Sequence, residues 1–142
     1  MVVRLEHANL IVRDIDRTVR FIQTAFPHFG IRCDRSDPDR FVHIGTDDTY
    51  IALTQATEEP NQQWEPYTGY PGVNHLGYEV DDADGIRERM LAAGFEESTP
   101  PNCHPHRKRV YFFDPDGNDW EFIQYLSDDP RERHDYELPD KP

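Results

Sequence analysis

Residues 5–16, LEHANLIVRDID, and residues 73–84, VNHLGYEVDDAD, align without a gap, and this alignment decides the fold. It pairs His7 with His75, and apolar residues of the two segments fall at matching places. Self-similarity at a fixed period is the mark of a repeated supersecondary unit. The chain is therefore predicted to contain two related modules.

The repeat continues in a second pair of segments, FVHIGTDDTYIALTQ (41–55) and VYFFDPDGNDWEFIQ (110–124). Here Ala52 of the first module is paired with Glu121 of the second. Alternating apolar residues predict that each module begins with a strand, and apolar residues at helical spacing behind an aspartate predict a helix after it. Three further strand-like segments follow in each module, so each has the pattern βαβββ.

These patterns divide the chain into a domain and a tail. The segments are a first module at 2–57, a linker at 58–71 and a second module at 72–126, which together form a single domain over 1–126. The linker contains Trp64, Tyr67 and Tyr70, which either cover a cleft or pack the linker down. Residues 127–142 are charged and lack periodicity, so a disordered acidic tail is predicted.

The composition excludes several classes of partner. The 142-residue chain carries 28 acidic and 15 basic residues, a net charge of −13, which argues against nucleic acid or an anionic membrane as the main partner. No apolar run approaches the ~20 residues that span a bilayer, and the amino end lacks a signal peptide, so we expect a cytoplasmic protein. Cys33 and Cys103 have no paired spacing, so any metal would be held by histidine and carboxylate.

Glu121 is the most informative single residue because it lies inside DWEFIQY, a segment that is predicted to be a central strand. An ionised carboxylate there is costly unless it is paired, hydrogen-bonded or bound to a metal. Alternation places Glu121 on the strand face opposite Trp120, and His7 and His75 are expected on that same side of their strands. Two imidazoles and one carboxylate are the ligand set of non-haem Fe(II) sites. The alternative is a glutamate paired with arginine and two histidines that merely hydrogen-bond.

The paired modules, the histidine near the start of each, and the sequence DPDGNDWEF (114–122) resemble the vicinal oxygen chelate superfamily. That superfamily includes glyoxalase I, fosfomycin-modifying and bleomycin-resistance proteins, and type I extradiol dioxygenases, and the resemblance covers residues 2–126. It implies an α+β fold in which two βαβββ modules form a cupped mixed sheet with helices on the outer face. It also implies a divalent metal held by His7, His75 and Glu121, and a homodimer in which two chains complete the cups.

One position departs from glyoxalase I, which has a fourth ligand where this chain has Ala52. The remaining set matches the extradiol enzymes, and the segment from Asn102 to Glu121 is similar to their signature. In that family the signature tyrosine hydrogen-bonds the substrate and the signature histidine lines the site, which makes Tyr111 and His104 candidate catalytic residues. The alternatives are a half-buried strand tyrosine and a solvated loop histidine.

A basic cluster stands out in this acidic chain. If Tyr111 faces the substrate, alternation sends Arg109 and Arg107 to the same side, where they could bind a carboxylate or phosphate of the substrate. The competing interpretation is a solvated edge strand with Lys108 outward. Both interpretations stay open on the sequence alone.

The residues and the resemblance together predict a metal-dependent enzyme that acts on a small molecule with vicinal oxygens. An extradiol-type dioxygenase or related oxygenase is favoured, with Fe(II) as the expected metal and Mn(II), Zn(II) or Ni(II) as alternatives. The second interpretation is a glyoxalase-like lyase or isomerase, in which the metal stabilises an enediolate. The third is a metal-free protein that sequesters a ligand.

Overall fold

The computed structural model describes residues 1–59, 65–69 and 71–139, so Trp64 and Tyr70 of the linker lie outside the described residues. The chain divides into two compact units, Met1–Gln63 and Trp64–Pro142. Each unit contains one βαβββ module, as the sequence repeat predicts. No helix of the described residues is long and apolar enough to cross a membrane.

The first module forms a four-stranded mixed sheet with the strand order β1-β4-β3-β2. Strands β1 and β4 are parallel, and the other neighbours are antiparallel. The elements are β1 (His7–Val12), α1 (Ile15–Ala25), β2 (Gly30–Arg35), β3 (Phe41–Gly45) and β4 (Tyr50–Gln55). Asp14 caps the helix by accepting a hydrogen bond from the backbone N–H of Arg17.

The second module repeats this topology with the order β5-β8-β7-β6, and β5 and β8 are its parallel pair. Its elements are β5 (His75–Glu79), α2 (Ala83–Ala92), β6 (Glu97–His104), β7 (Arg107–Phe113) and β8 (Asp119–Tyr125). Its helix packs on β7 and β8. The fully buried side chains on this side include Met90, Phe112, Trp120 and Phe122. The opposite face of the sheet is the one that carries His75 and Glu121.

The turn between β7 and β8 sets the register that positions Glu121. Asp114 is 5% exposed, and its carboxylate accepts hydrogen bonds from the backbone N–H groups of Asp116 and Asn118, the Asn118 amide and the Trp120 indole. Gly117 has φ +85°, a conformation that favours glycine. The sequence Asp-Pro-Asp-Gly is thus a structural turn, and its geometry places Glu121 opposite Tyr111.

The structure describes residues 127–139 of the predicted acidic tail. It contains a short helix, α3 (Pro130–Arg133), which is capped by Asp129. The Arg107 guanidinium donates hydrogen bonds to the backbone carbonyls of Arg133 and Asp135, at 3.3 and 2.7 Å. These contacts join the segment to a distant strand, which a local sequence pattern cannot reveal.

We expect Asp114→Ala to lower the free energy of unfolding by about 2–3 kcal/mol, because it leaves several buried donors without an acceptor. Chemical denaturation monitored by tryptophan fluorescence measures this change. The control is Asp47→Ala, an exposed aspartate in the turn between β3 and β4 of the other module. Equal stabilities of the two variants would show that the turn network does not hold the β7–β8 register.

Candidate functional site

Three of the candidate residues meet on one face of the second module. His75 begins β5, Glu121 lies in the centre of β8, and Tyr111 is directly opposite Glu121 on β7. The His75 Nε2 atom is 3.2 Å from Glu121 Oε2, and the Tyr111 hydroxyl donates a hydrogen bond of 2.8 Å to Glu121 Oε1. The Glu121 side chain is 14% exposed, and the hydrogen bond from Tyr111 stabilises its charge.

Both candidate histidines are oriented by the residue that precedes them. His75 Nδ1 is 3.0 Å from the Asn74 side-chain oxygen, and His7 Nδ1 is 3.0 Å from a Glu6 carboxylate oxygen. Metal-binding histidines usually donate the second ring N–H to such an acceptor, which fixes the tautomer and the ring. In both modules this arrangement leaves Nε2 as the nitrogen with a lone pair for a ligand.

The distance between His75 Nε2 and Glu121 Oε2 also fits two ligands of a single metal ion. Nitrogen and oxygen ligands that each lie about 2.0–2.2 Å from a cation in adjacent positions are about 3 Å apart. Gly77 faces the carboxylate from β5, and a Cβ atom there would lie 3.6 Å from Glu121 Oε2. The chemistry and spacing of this donor pair therefore fit a divalent cation.

Two tyrosines surround the His75 ring. Tyr111 is perpendicular to it at 6.2 Å, and Tyr67 of the linker is nearly parallel at 6.3 Å. The Tyr67 hydroxyl donates a 2.6 Å hydrogen bond to Asp119, which is 1% exposed and also accepts one from Ser98. Sequence reasoning missed Asp119 and Ser98, since nothing in a local pattern shows which side chain will pair with the linker.

The phenol of Tyr111 is a hydrogen-bond donor. Burial raises the pKa of Tyr111 above its usual range, and the hydrogen bond to the Glu121 carboxylate raises this pKa further. The hydroxyl therefore stays protonated at neutral pH. Arg109, two residues away on β7, opposes this shift electrostatically.

In the first module, His7 lies among aromatic side chains. Its ring stacks on Tyr50 at 4.8 Å, and His43 contacts the same tyrosine at 4.8 Å. The Arg32 guanidinium lies 4.2 Å from the centre of the Tyr50 ring. Ala52 follows Tyr50 by two residues on β4 and is opposite His43, so it shares the sheet face of His7, as the repeat predicts.

The other candidates divide into two groups. Arg109 donates to the Asn102 side chain at 3.1 Å and shares the face of Tyr111. Arg107 and His104 are each 3% exposed, and both lie at the far end of β7 and β6 from Tyr111. His104 Nδ1 accepts the backbone N–H of His106, while Arg107 holds the C-terminal segment. The structure thus separates these two residues from the cluster that contains His75, Tyr111 and Glu121.

The predicted set of three metal ligands is divided between the two compact units. Among residues 1–59, 65–69 and 71–139, no group of three or more histidine, cysteine, aspartate or glutamate side chains is close enough to hold a metal ion. Module two supplies the pair His75 and Glu121, and His7 belongs to the other compact unit.

Two known proteins are similar to this chain in sequence. The chain is 24% identical over 135 residues to a probable trivalent organoarsenical cleaving enzyme of Bacillus subtilis, covering 91% of this chain and 85% of the relative. It is 26% identical over 129 residues to the fosfomycin resistance protein FosX of Mesorhizobium japonicum, covering 85% of each.

Solved structures share the fold. A glyoxylase/bleomycin resistance protein/dioxygenase domain from Frankia superposes with a TM-score of 0.72 at 24% identity, over 88% of this chain and 99% of that one. A second structure is a glutamate-to-glutamine variant of Listeria monocytogenes FosX in complex with Mn(II) and 1S,2S-dihydroxypropylphosphonic acid. It superposes with a TM-score of 0.71 at 22% identity, over 94% of this chain and 98% of that one.

A family model matches residues 4–122, which include both modules, the two histidines that begin them and the central glutamate. This match confirms the resemblance that the repeat and the DPDGNDWEF segment predicted. The chain belongs to the Glyoxalase/Bleomycin resistance protein/Dioxygenase superfamily.

Proposed function

We propose that this protein is a divalent-metal-dependent enzyme that acts on a small anionic molecule with adjacent oxygen atoms. His7, His75 and Glu121 are the proposed metal ligands. The observation that carries the proposal is the 3.2 Å pair of His75 Nε2 and Glu121 Oε2, with the Nδ1 atom of each histidine tied to the preceding residue. The Mn(II) complex of the related Listeria FosX supports it.

Different residues of the chain have different proposed roles at the site. A bound divalent cation would supply Lewis-acid chemistry and a template for two adjacent substrate oxygens. Tyr111 orients the Glu121 carboxylate and keeps a proton that it can donate to a substrate oxygen. Arg109, on the same face, provides positive charge for an anionic group of the substrate.

Metal-assisted chemistry that does not consume dioxygen is the first candidate reaction class. Both curated relatives carry names that refer to compounds other than catechols, namely fosfomycin and a trivalent organoarsenical. The phosphonate in the Listeria FosX complex carries adjacent hydroxyl groups and an anionic end. Arg109 beside Tyr111 suits a ligand of this kind, which could be processed by addition, elimination or isomerisation.

An extradiol-type oxygenase is the second candidate. It is favoured by the similarity of the segment from Asn102 to Glu121 to the extradiol signature, and by the two-histidine, one-carboxylate set that suits Fe(II). A metal-free protein that sequesters a ligand is the remaining alternative. This alternative does not explain why the Nδ1 atoms of His7 and His75 are both held by the preceding residue.

Removal of any one proposed ligand should abolish metal binding. We expect His7→Ala, His75→Ala and Glu121→Gln each to weaken the affinity for Mn(II) or Fe(II) by more than about a hundredfold, since each removes one of three protein ligands. Calorimetric titration under anaerobic conditions measures these affinities.

The matched controls are His28→Ala, an exposed histidine of the first module, and Glu96→Gln, an exposed glutamate of the second. Both should bind metal like the parent protein. Parent-like affinity in any of the three ligand variants would remove that residue from the site, and a parent protein that binds no divalent metal would refute the proposal.

The two reaction classes differ in their need for oxygen. We expect the Mn(II)-loaded protein to turn over an epoxyphosphonate or a thiol hemiacetal under anaerobic conditions, and Arg109→Met to raise KM for an anionic substrate more than it lowers kcat. Phosphorus NMR and absorbance assays follow the two substrates. Oxygen uptake by the Fe(II)-loaded protein with a catechol panel, without anaerobic turnover, would instead establish the oxygenase.

The third proposed ligand, His7, would come from a partner chain. We expect a symmetric dimer in which His7 of one protomer meets His75 and Glu121 of its partner. Light scattering should give about twice the chain mass of 16.7 kDa at micromolar concentration. A mixture of inactive His7→Ala and Glu121→Gln proteins should recover a fraction of metal sites by subunit exchange. A monomer that still binds metal would contradict this arrangement.

A further inference from the structure

The C-terminal segment 127–139 crosses the sheet face that carries the proposed ligand pair. Besides the two carbonyls held by Arg107, the Arg133 guanidinium contacts two other strands. It donates a 2.9 Å hydrogen bond to Glu79 at the end of β5, and it lies 4.0 Å from the centre of the Tyr125 ring at the end of β8. The segment is therefore attached to three neighbouring strands, β5, β8 and β7.

These attachment points share the face of the ligand pair. Glu79 lies four residues after His75 on β5, and Tyr125 lies four residues after Glu121 on β8. An even spacing along a strand keeps side chains on one face, and four residues span about 13 Å. The segment thus lies about 13 Å along the strands from the carboxylate of Glu121.

One attachment point, Arg107, is buried, and its polar contacts hold the segment in place. Arg107 is 3% exposed and lies 4.8 Å from the centre of the Tyr136 ring, in addition to its hydrogen bonds with carbonyls of the segment. His106 Nδ1 is 3.7 Å from the carboxylate of Glu132 on α3. A buried guanidinium whose acceptors belong to the segment would be costly if the segment left.

We propose that residues 127–139 form the end wall of the substrate site on module two and limit the length of the molecules that the enzyme accepts. Ile123 and Arg109 are paired on neighbouring strands between Glu121 and this wall, so they form the floor of the remaining space. Arg107 is then a positioning residue for the wall and Arg109 is the cation that faces the ligand. The wall therefore selects short molecules.

The test compares two arginines of the same segment. Arg133→Met removes the contacts with Glu79 and Tyr125, whereas Arg131→Met removes an arginine whose side chain bonds Asp129 within the segment. A third variant ends the chain after Ser127. Thermal unfolding of each variant shows whether the fold is retained, and Arg133→Met serves if the shortened chain does not fold.

The first measurement rests on the proposed function. Calorimetry gives the affinity of the Mn(II)-loaded protein for n-alkylphosphonates from methyl to octyl. For the parent and Arg131→Met, affinity should rise with the first methylenes and then fall when the chain meets the wall. For the shortened chain it should keep rising, by about threefold to fourfold per methylene, and for Arg133→Met, which keeps the Arg107 contacts, the limit should move to longer chains. The same chain-length limit in all four proteins would overturn the proposal.

The second measurement needs neither metal nor ligand. Ile123→Cys, with Cys33 and Cys103 replaced by serine, places one thiol on the floor beside the wall. We expect the ratio of its reaction rates with N-ethylmaleimide and a pyrene maleimide to fall at least about tenfold when the wall is removed. An unchanged ratio refutes the wall, whereas a changed ratio with no phosphonate binding refutes the proposed function alone.

Discussion

The carboxylate of Glu121 is the constraint on which the second module depends. It lies between Trp120 and Phe122, both fully buried on the helix side of the strand, so the backbone cannot turn this side chain away without exposing the core. On the other face, the hydrogen bond from Tyr111 offsets the cost of this largely buried charge, and His75 Nε2 lies 3.2 Å from the carboxylate. The packing of the core thus fixes the direction of the Glu121 side chain. Its contacts with Tyr111 and His75 connect β8 to β7 and β5 on the opposite face.

The turn that begins with Asp114 connects this constraint to the backbone. Burial raises the pKa of Asp114, while its hydrogen bonds to Asn118 and Trp120 oppose that shift. One carboxylate therefore fixes the turn and one indole of the core at the same time. A slip of one residue in β8 would turn Glu121 toward the helix and Trp120 toward solvent, so register and site geometry are a single property.

The sequence predicted those features that follow from the periodicity of apolar residues and from the internal repeat. Both modules, the two helices behind their aspartate caps, and the shared face of His75 and Glu121 came from the pattern alone. The positions of His104 and of residues 127–139 could not be derived in this way. Strand β6 has register shifts between Glu97 and Thr99 and between Thr99 and Asn102, so alternation cannot be carried along it to His104. The C-terminal segment contacts a buried arginine in a different strand, and sequence neighbours give no sign of such a contact.

The two modules have kept one fold and diverged in the chemistry of one face. Module two presents a charged cluster around Glu121, whereas module one presents His7 stacked on Tyr50 and has a methyl group at Ala52, where the repeat would place a second carboxylate. A second carboxylate near a cation would add negative charge to a chain that already carries a net charge of −13 and would fill a coordination position. Ala52 has no ligand atom, so the proposed cation, with Glu121 as its one carboxylate ligand, would keep positive charge and open positions. In an acidic protein, that cation and Arg109 are then the local attraction for an anionic ligand, which the net charge alone would repel.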